Sequence, residues 1–147
     1  MYTHILIPTD GSETAEKAVV AGIDYAREAN ARVVFFTAVP EYQMPSEAEL
    51  LARHATPLSE YERQAGEAAR AILDKVARLA KDANVAFETD YTFNDHPSQA
   101  IIEAAKRHHC DAIFMATHGR TGFSRLVHGS ETGDVLVNSD IPTFVYR

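Results

Sequence analysis

The sequence predicts an α/β fold: one parallel β-sheet with helices packed on both of its faces. Three observations carry this. Short β-rich runs alternate with stretches of helical periodicity, in the order β-α-β-α-β-α-β-α-β. Such alternation implies right-handed crossovers between parallel strands. The runs at residues 32–39 and 112–116 are apolar almost throughout rather than at every second position, as strands covered on both faces are. The length, 147 residues, matches one domain of ~100–200 residues, so the expected organisation is a single domain over residues 1–147.

Each element has its own signal. Residues 4–9, running from His4 through Ile5-Leu6-Ile7-Pro8, read as a buried first strand. In residues 12–29 the apolar positions Ala15, Ala18, Val19, Gly22, Ile23 and Ala26 recur with helical spacing. Ser12 is placed to cap that helix, and Glu13 and Glu16 suit the positive end of its dipole. Residues 32–39 form a second strand. Residues 40–57 are irregular and hold three prolines, with room for a short helix at 47–53. Tyr42, Met44, Leu50 and Leu51 there suit a lid or a partner surface. Residues 58–81 read as a long amphipathic helix whose face is Ala65, Ala68, Ala69, Ile72, Val76, Leu79 and Ala80. The run 85–93 is a third strand, placed at an edge because it carries Glu88 and Asp90. Pro97 opens a helix with Ile101, Ala104 and Ala105 inward. Residues 112–116 make a fourth strand, and a glycine-punctuated loop covers 117–129. A helix at 130–138 and a strand at 142–146 close the chain.

Composition narrows the function. The formal net charge is −7, with 14 Lys and Arg scattered among 21 Asp and Glu. Nucleic-acid binding needs clustered cations to neutralise phosphates, so no nucleic-acid partner is expected. No apolar run reaches the ~18–20 residues of a membrane span, and the first residues lack the basic region of a signal peptide. The single cysteine, Cys110, excludes an intrachain disulfide and fits a reducing, cytoplasmic setting. His108-His109-Cys110 has the look of a metal tract. Adjacent residues at a helix end point apart, however, so the reading there is structural, with Cys110 a quiet core thiol.

Two loops are candidates for chemistry. Thr9-Asp10-Gly11-Ser12 follows the first strand, and Ala116-Thr117-His118-Gly119 leads, nine residues later, into Gly129-Ser130. Parallel sheets bind ligands outside the carboxyl ends of their strands, where strand order reverses. Glycines let backbone N–H groups close on an anion, and Gly129-Ser130 opens a helix whose free N–H groups favour phosphate. Asp10 can accept ribose hydroxyls or help hold a metal. The same residues also serve as ordinary turn and N-cap chemistry. No GxGxxG, Walker A, GxSxG, HExxH, CxxC or EF-hand pattern is present.

The chain resembles the universal stress proteins. The likeness lies in Ile5-Leu6-Ile7-Pro8-Thr9-Asp10-Gly11-Ser12, in the run from Cys110 to Gly122, in Ser124-Arg125-Leu126 with Gly129-Ser130, and in Ile141-Pro142-Thr143-Phe144-Val145-Tyr146. The resemblance implies a Rossmann-like, five-stranded parallel sheet in the order 3-2-1-4-5. It also implies a homodimer whose last strands, Thr143–Tyr146, pair. Its ATP-binding branch carries a glycine pattern that here falls on Ala116, Gly119, Gly129 and Ser130. The resemblance then implies that the last three hold phosphates, Asp10 meets the ribose, and the backbone at Val39 faces adenine. Thr9, His118, Arg120, Glu131 and Thr132 complete the candidate ligand-binding set. Arg120 and Arg125 are also suited to loop or dimer contacts, and His118 and His128 to backbone hydrogen bonds. Two departures stand out: Ala116 replaces the first motif glycine, and the acids Glu131 and Asp134 sit in the first turn of the last helix. The implied function is a stress-response regulator that binds ATP, ADP or AMP, with Mg²⁺ held by the phosphates. With neither a Walker lysine nor a dedicated general base, it is not expected to act as an enzyme. The alternative is a nucleotide-free, dimeric interaction module of the same fold.

Overall fold

A computed structural model of the chain describes residues 1–117 and 129–147, the first two residues of the last helix by backbone alone. The elements are β1 (His4–Pro8), α1 (Glu13–Ala29), β2 (Arg32–Val39), α2 (Glu47–Leu51), α3 (Leu58–Asp82), β3 (Phe87–Phe93), α4 (Pro97–Arg107), β4 (Ala112–Ala116), α5 (Gly129–Asn138) and β5 (Thr143–Tyr146). The five strands form one parallel sheet in the order β3-β2-β1-β4-β5. The expected order and the edge position of β3 both hold.

Side-chain alternation along the strands divides the core in two. Ile5, Ile7, Val33, Phe35, Ala112 and Phe114 face α1 and α3. Leu6, Val34, Phe36, Ile113 and Met115 face α4 and α5. The result is three layers with the sheet in the middle.

Local chemistry sets the element ends. Ser12 caps α1, its hydroxyl accepting the Ala15 N–H, and Asn30 closes the helix in the left-handed conformation. The expected face of α3 is turned slightly from the observed one. The buried spine is Gly66, Ala69, Leu73, Val76 and Ala80, while Ala68 is exposed. Leu73 joins the core on this side of the sheet. The third strand begins at Phe87 rather than 85, because the Val85 N–H is spent closing α3 on the Ala80 carbonyl.

Helix α2 buries none of its side chains. The segment around it is fastened at both ends by tyrosines: Tyr42 donates to the Thr56 carbonyl and Tyr61 to the Pro40 carbonyl. Met44 and Leu51 stay exposed. The His108-His109-Cys110 tract is structural. His108 bonds Asp90 of β3 at 2.8 Å, Arg107 bonds the same carboxylate, and burial pushes the Cys110 thiol up to about 12. A thiol so protonated is inert at neutral pH.

Candidate functional site

The carboxyl ends of β1, β2 and β4 open onto a cleft of about 540 Å³, its mouth included. Pro8, Thr9 and Asp10 form one wall, Met115 and Ala116 another, and Phe36 to Ala38 the floor. Pro97 and Ile101 of α4 and Glu131 and Thr132 of α5 close the far side. This is the switch point of the sheet, since β1 pairs with β2 on one side and β4 on the other.

The β1–α1 loop is shaped by its own side chains. The buried Thr9 hydroxyl accepts the Gly11 N–H at 3.2 Å, and Asp10 Oδ1 accepts the Ser12 N–H at 2.9 Å. Gly11 has a φ of 79°, and a Cβ there would stand 3.1 Å from Ile72 of α3. A side chain would therefore meet both backbone strain and a packed neighbour. Among the described residues Asp10 Oδ2 receives no bond, so the carboxylate is half committed to the turn and half available to the cleft.

The end of β2 offers a second polar feature. The Thr9 N–H donates to the Phe36 carbonyl at 2.8 Å, so even-numbered residues of β2 point their peptide groups toward β1. The Val39 carbonyl instead accepts the Asn94 N–H at 2.8 Å, on the β3 side. By strand alternation the Ala38 N–H and C=O face the β1 side. That lies beyond Pro8, where β1 has ended. Ala38 lines the cleft; Val39, expected to do so, is turned away. The displacement is one residue, and strand parity was the signal that would have found it.

At the third side, α5 is tied to β4. The buried Thr132 hydroxyl donates to the Ala116 carbonyl at 3.2 Å. Glu131 Oε2 accepts the Ser98 N–H of α4 at 2.9 Å. Thus Thr9, Asp10, Ala116, Glu131 and Thr132 converge on one cleft. Gly129 opens α5 as expected. His118, Gly119, Arg120 and the side chain of Ser130 lie outside the described residues. Pro97, Ile101 and Met115 were not foreseen as lining: Ile101 and Met115 come from a helix and a strand interior that carry no loop signature, and Pro97 read only as a helix start.

Comparison with known proteins agrees with this fold. The universal stress protein family matches residues 1–147, and the chain belongs to that family. Universal stress protein MJ0531 of Methanocaldococcus jannaschii is 32% identical, covering 100% of this chain and 83% of its own. Among solved structures, protein MJ0577 of the same organism superposes with a TM-score of 0.76 at 24% identity, over 99% of this chain and 95% of that one. A universal stress protein in complex with cAMP superposes with a TM-score of 0.70 at 21% identity, over 99% and 97%. At these identities the two structures bear on the fold.

Proposed function

We propose that this chain binds an adenine nucleotide in the cleft at the ends of β1, β2 and β4, and that it acts as a stress-response regulator rather than by turnover. The observation that carries this is the Ala38 peptide group. By strand alternation its N–H and C=O face the β1 side, past the last β1–β2 pair, Pro8 with Phe36. Ala38 lines the cleft, so this donor and acceptor suit the hydrogen-bonding edge of a purine. Asp10 Oδ2 supplies an acceptor for a ribose hydroxyl, and the apolar walls of Ile101 and Met115 suit the faces of a base. That a relative of the same fold holds cAMP supports the ligand class.

In this reading the phosphates lie over Gly119, Gly129 and Ser130, at the opening of α5, with His118 and Arg120 beside them. Ala38 takes the adenine-facing role expected of Val39. Among the described residues no cluster of three or more His, Cys, Asp or Glu is fit to hold a metal. An accompanying Mg²⁺ would be held by the phosphates. The same reading includes a homodimer through the open edge of β5 (Thr143–Tyr146) and a cytoplasmic setting, supported by the single buried cysteine. Among the described residues no helix is long and apolar enough to cross a membrane.

The test is a titration of nucleotide-stripped protein with AMP, ATP and GMP, followed by calorimetry and by the backbone amide NMR signals. Adenine ligands should bind, and the Ala38 amide should shift among the most strongly. No heat and no shift at millimolar adenine nucleotide would sink the proposal and favour the nucleotide-free interaction module.

A further inference from the structure

Among the described residues, the cleft walls carry two carboxylates, Asp10 and Glu131, and no cation. Glu131 stands in the first turn of α5, beside the proposed phosphate end. A glutamate there is ordinarily free to swing into solvent. Here its Oε2 is bonded to the Ser98 N–H, on the second residue of α4. Helix α4 has reason to recruit it. His96, at the N-cap, makes no side-chain capping bond, and Pro97 at the first position has no N–H. The positive end of α4 further favours a carboxylate at that place. The charge of Glu131 is therefore pinned to the wall between α4 and α5.

A pinned negative charge in a partly desolvated cleft acts on the charge of the ligand. Its repulsion grows with the number of phosphate charges and spares an uncharged nucleoside. We propose that Glu131 sets how many phosphate groups the cleft accepts, favouring adenine ligands with one phosphate over triphosphates. The proposal rests on the adenine-nucleotide reading above and extends it to phosphate number.

Glu131→Gln isolates the charge, because glutamine keeps an oxygen to accept the Ser98 N–H. Glu131→Ala removes both charge and cap. Affinities for adenosine, AMP and ATP are measured by calorimetry in a chelating buffer, so that no divalent cation masks the phosphates. Glu131→Gln should tighten ATP by about tenfold, AMP by about threefold and adenosine by less than about twofold, as expected for partly screened charges several ångströms apart. Glu131→Ala should lower the melting temperature yet keep the graded gain. Equal changes for all three ligands, or none, would reduce Glu131 to a helix cap and overturn the proposal alone. Failure of the wild-type protein to bind any of the three would overturn the nucleotide reading, and this proposal with it.

Discussion

Asp111 shows how much one side chain can organise. Its carboxylate accepts the Thr3 N–H at 2.9 Å, the Thr3 hydroxyl at 3.1 Å and the His4 N–H at 3.0 Å. It thereby ties the start of β1 to the residue before β4. Burial pushes its carboxyl upward, but the donors from Thr3 and His4 outweigh this and hold it below the ordinary value. A carboxylate with a lowered folded pKa contributes its full stability above the unfolded value of ~3.9 and loses it as pH falls through the folded value. Asp111→Ala should cost about 1–2 kcal/mol at pH 7, the range for hydrogen bonds to a charged group discounted for partial exposure. Urea unfolding at pH 7 and pH 3 checks both size and sign: the gap to wild type should narrow at pH 3. The sequence does not mark Asp111 for this role, because its partners lie 107 and 108 positions away. Asp10 was legible from its place after a buried strand. Ala38 was not, because an alanine peptide carries its chemistry in its direction rather than its side chain. Glu131 was legible as a charge, but its attachment to Ser98 is a tertiary fact.

Among the elements, the strands and α1 were the most readable, since a two-sided apolar strand and a capped helical stripe are local patterns. Acidic Glu88 and Asp90 correctly marked β3 as an edge. The inward face of α3 was less readable, because helical spacing fixes the width of a stripe better than its centre. Helix α1 shows what close packing demands. A Cβ on Gly22 would lie 2.6 Å from Ile7 Cδ1 and 3.2 Å from Phe114 Cδ1, and Ile7 is fully buried. Gly22→Val should therefore lower stability by about 2–3 kcal/mol through overpacking, despite the better helix propensity of valine. A reduced urea midpoint with an unchanged slope is the expected readout. Stability equal to wild type would show that the α1 face of the sheet yields more than its burial implies.

For the whole molecule, the sheet leaves β3 and β5 as its two edges. The Thr117 N–H donates to the Tyr146 carbonyl and the Ile113 N–H to the Pro142 carbonyl. Even-numbered residues of β5 therefore serve β4, and the peptide groups of Thr143 and Val145 point outward. Val145→Pro removes an outward donor and leaves the β4 ladder intact. If two copies pair through this edge, the variant should sediment as a monomer with the circular dichroism of the wild type. A variant that remains dimeric would place the interface elsewhere.

The strand order has one more consequence, for synthesis. β1 lies at the centre of the sheet, yet its neighbour β4 begins at Ala112. At ribosomal rates of about 5–20 residues per second, the wait between the two is roughly 5–20 s. Throughout it, the flank of Ile5-Leu6-Ile7 that β4 will occupy is an unpaired apolar edge, the kind of surface on which nascent chains stick to one another. Such an edge favours aggregation while the chain is being made, and a holdase acting on the emerging chain would have that edge to shield.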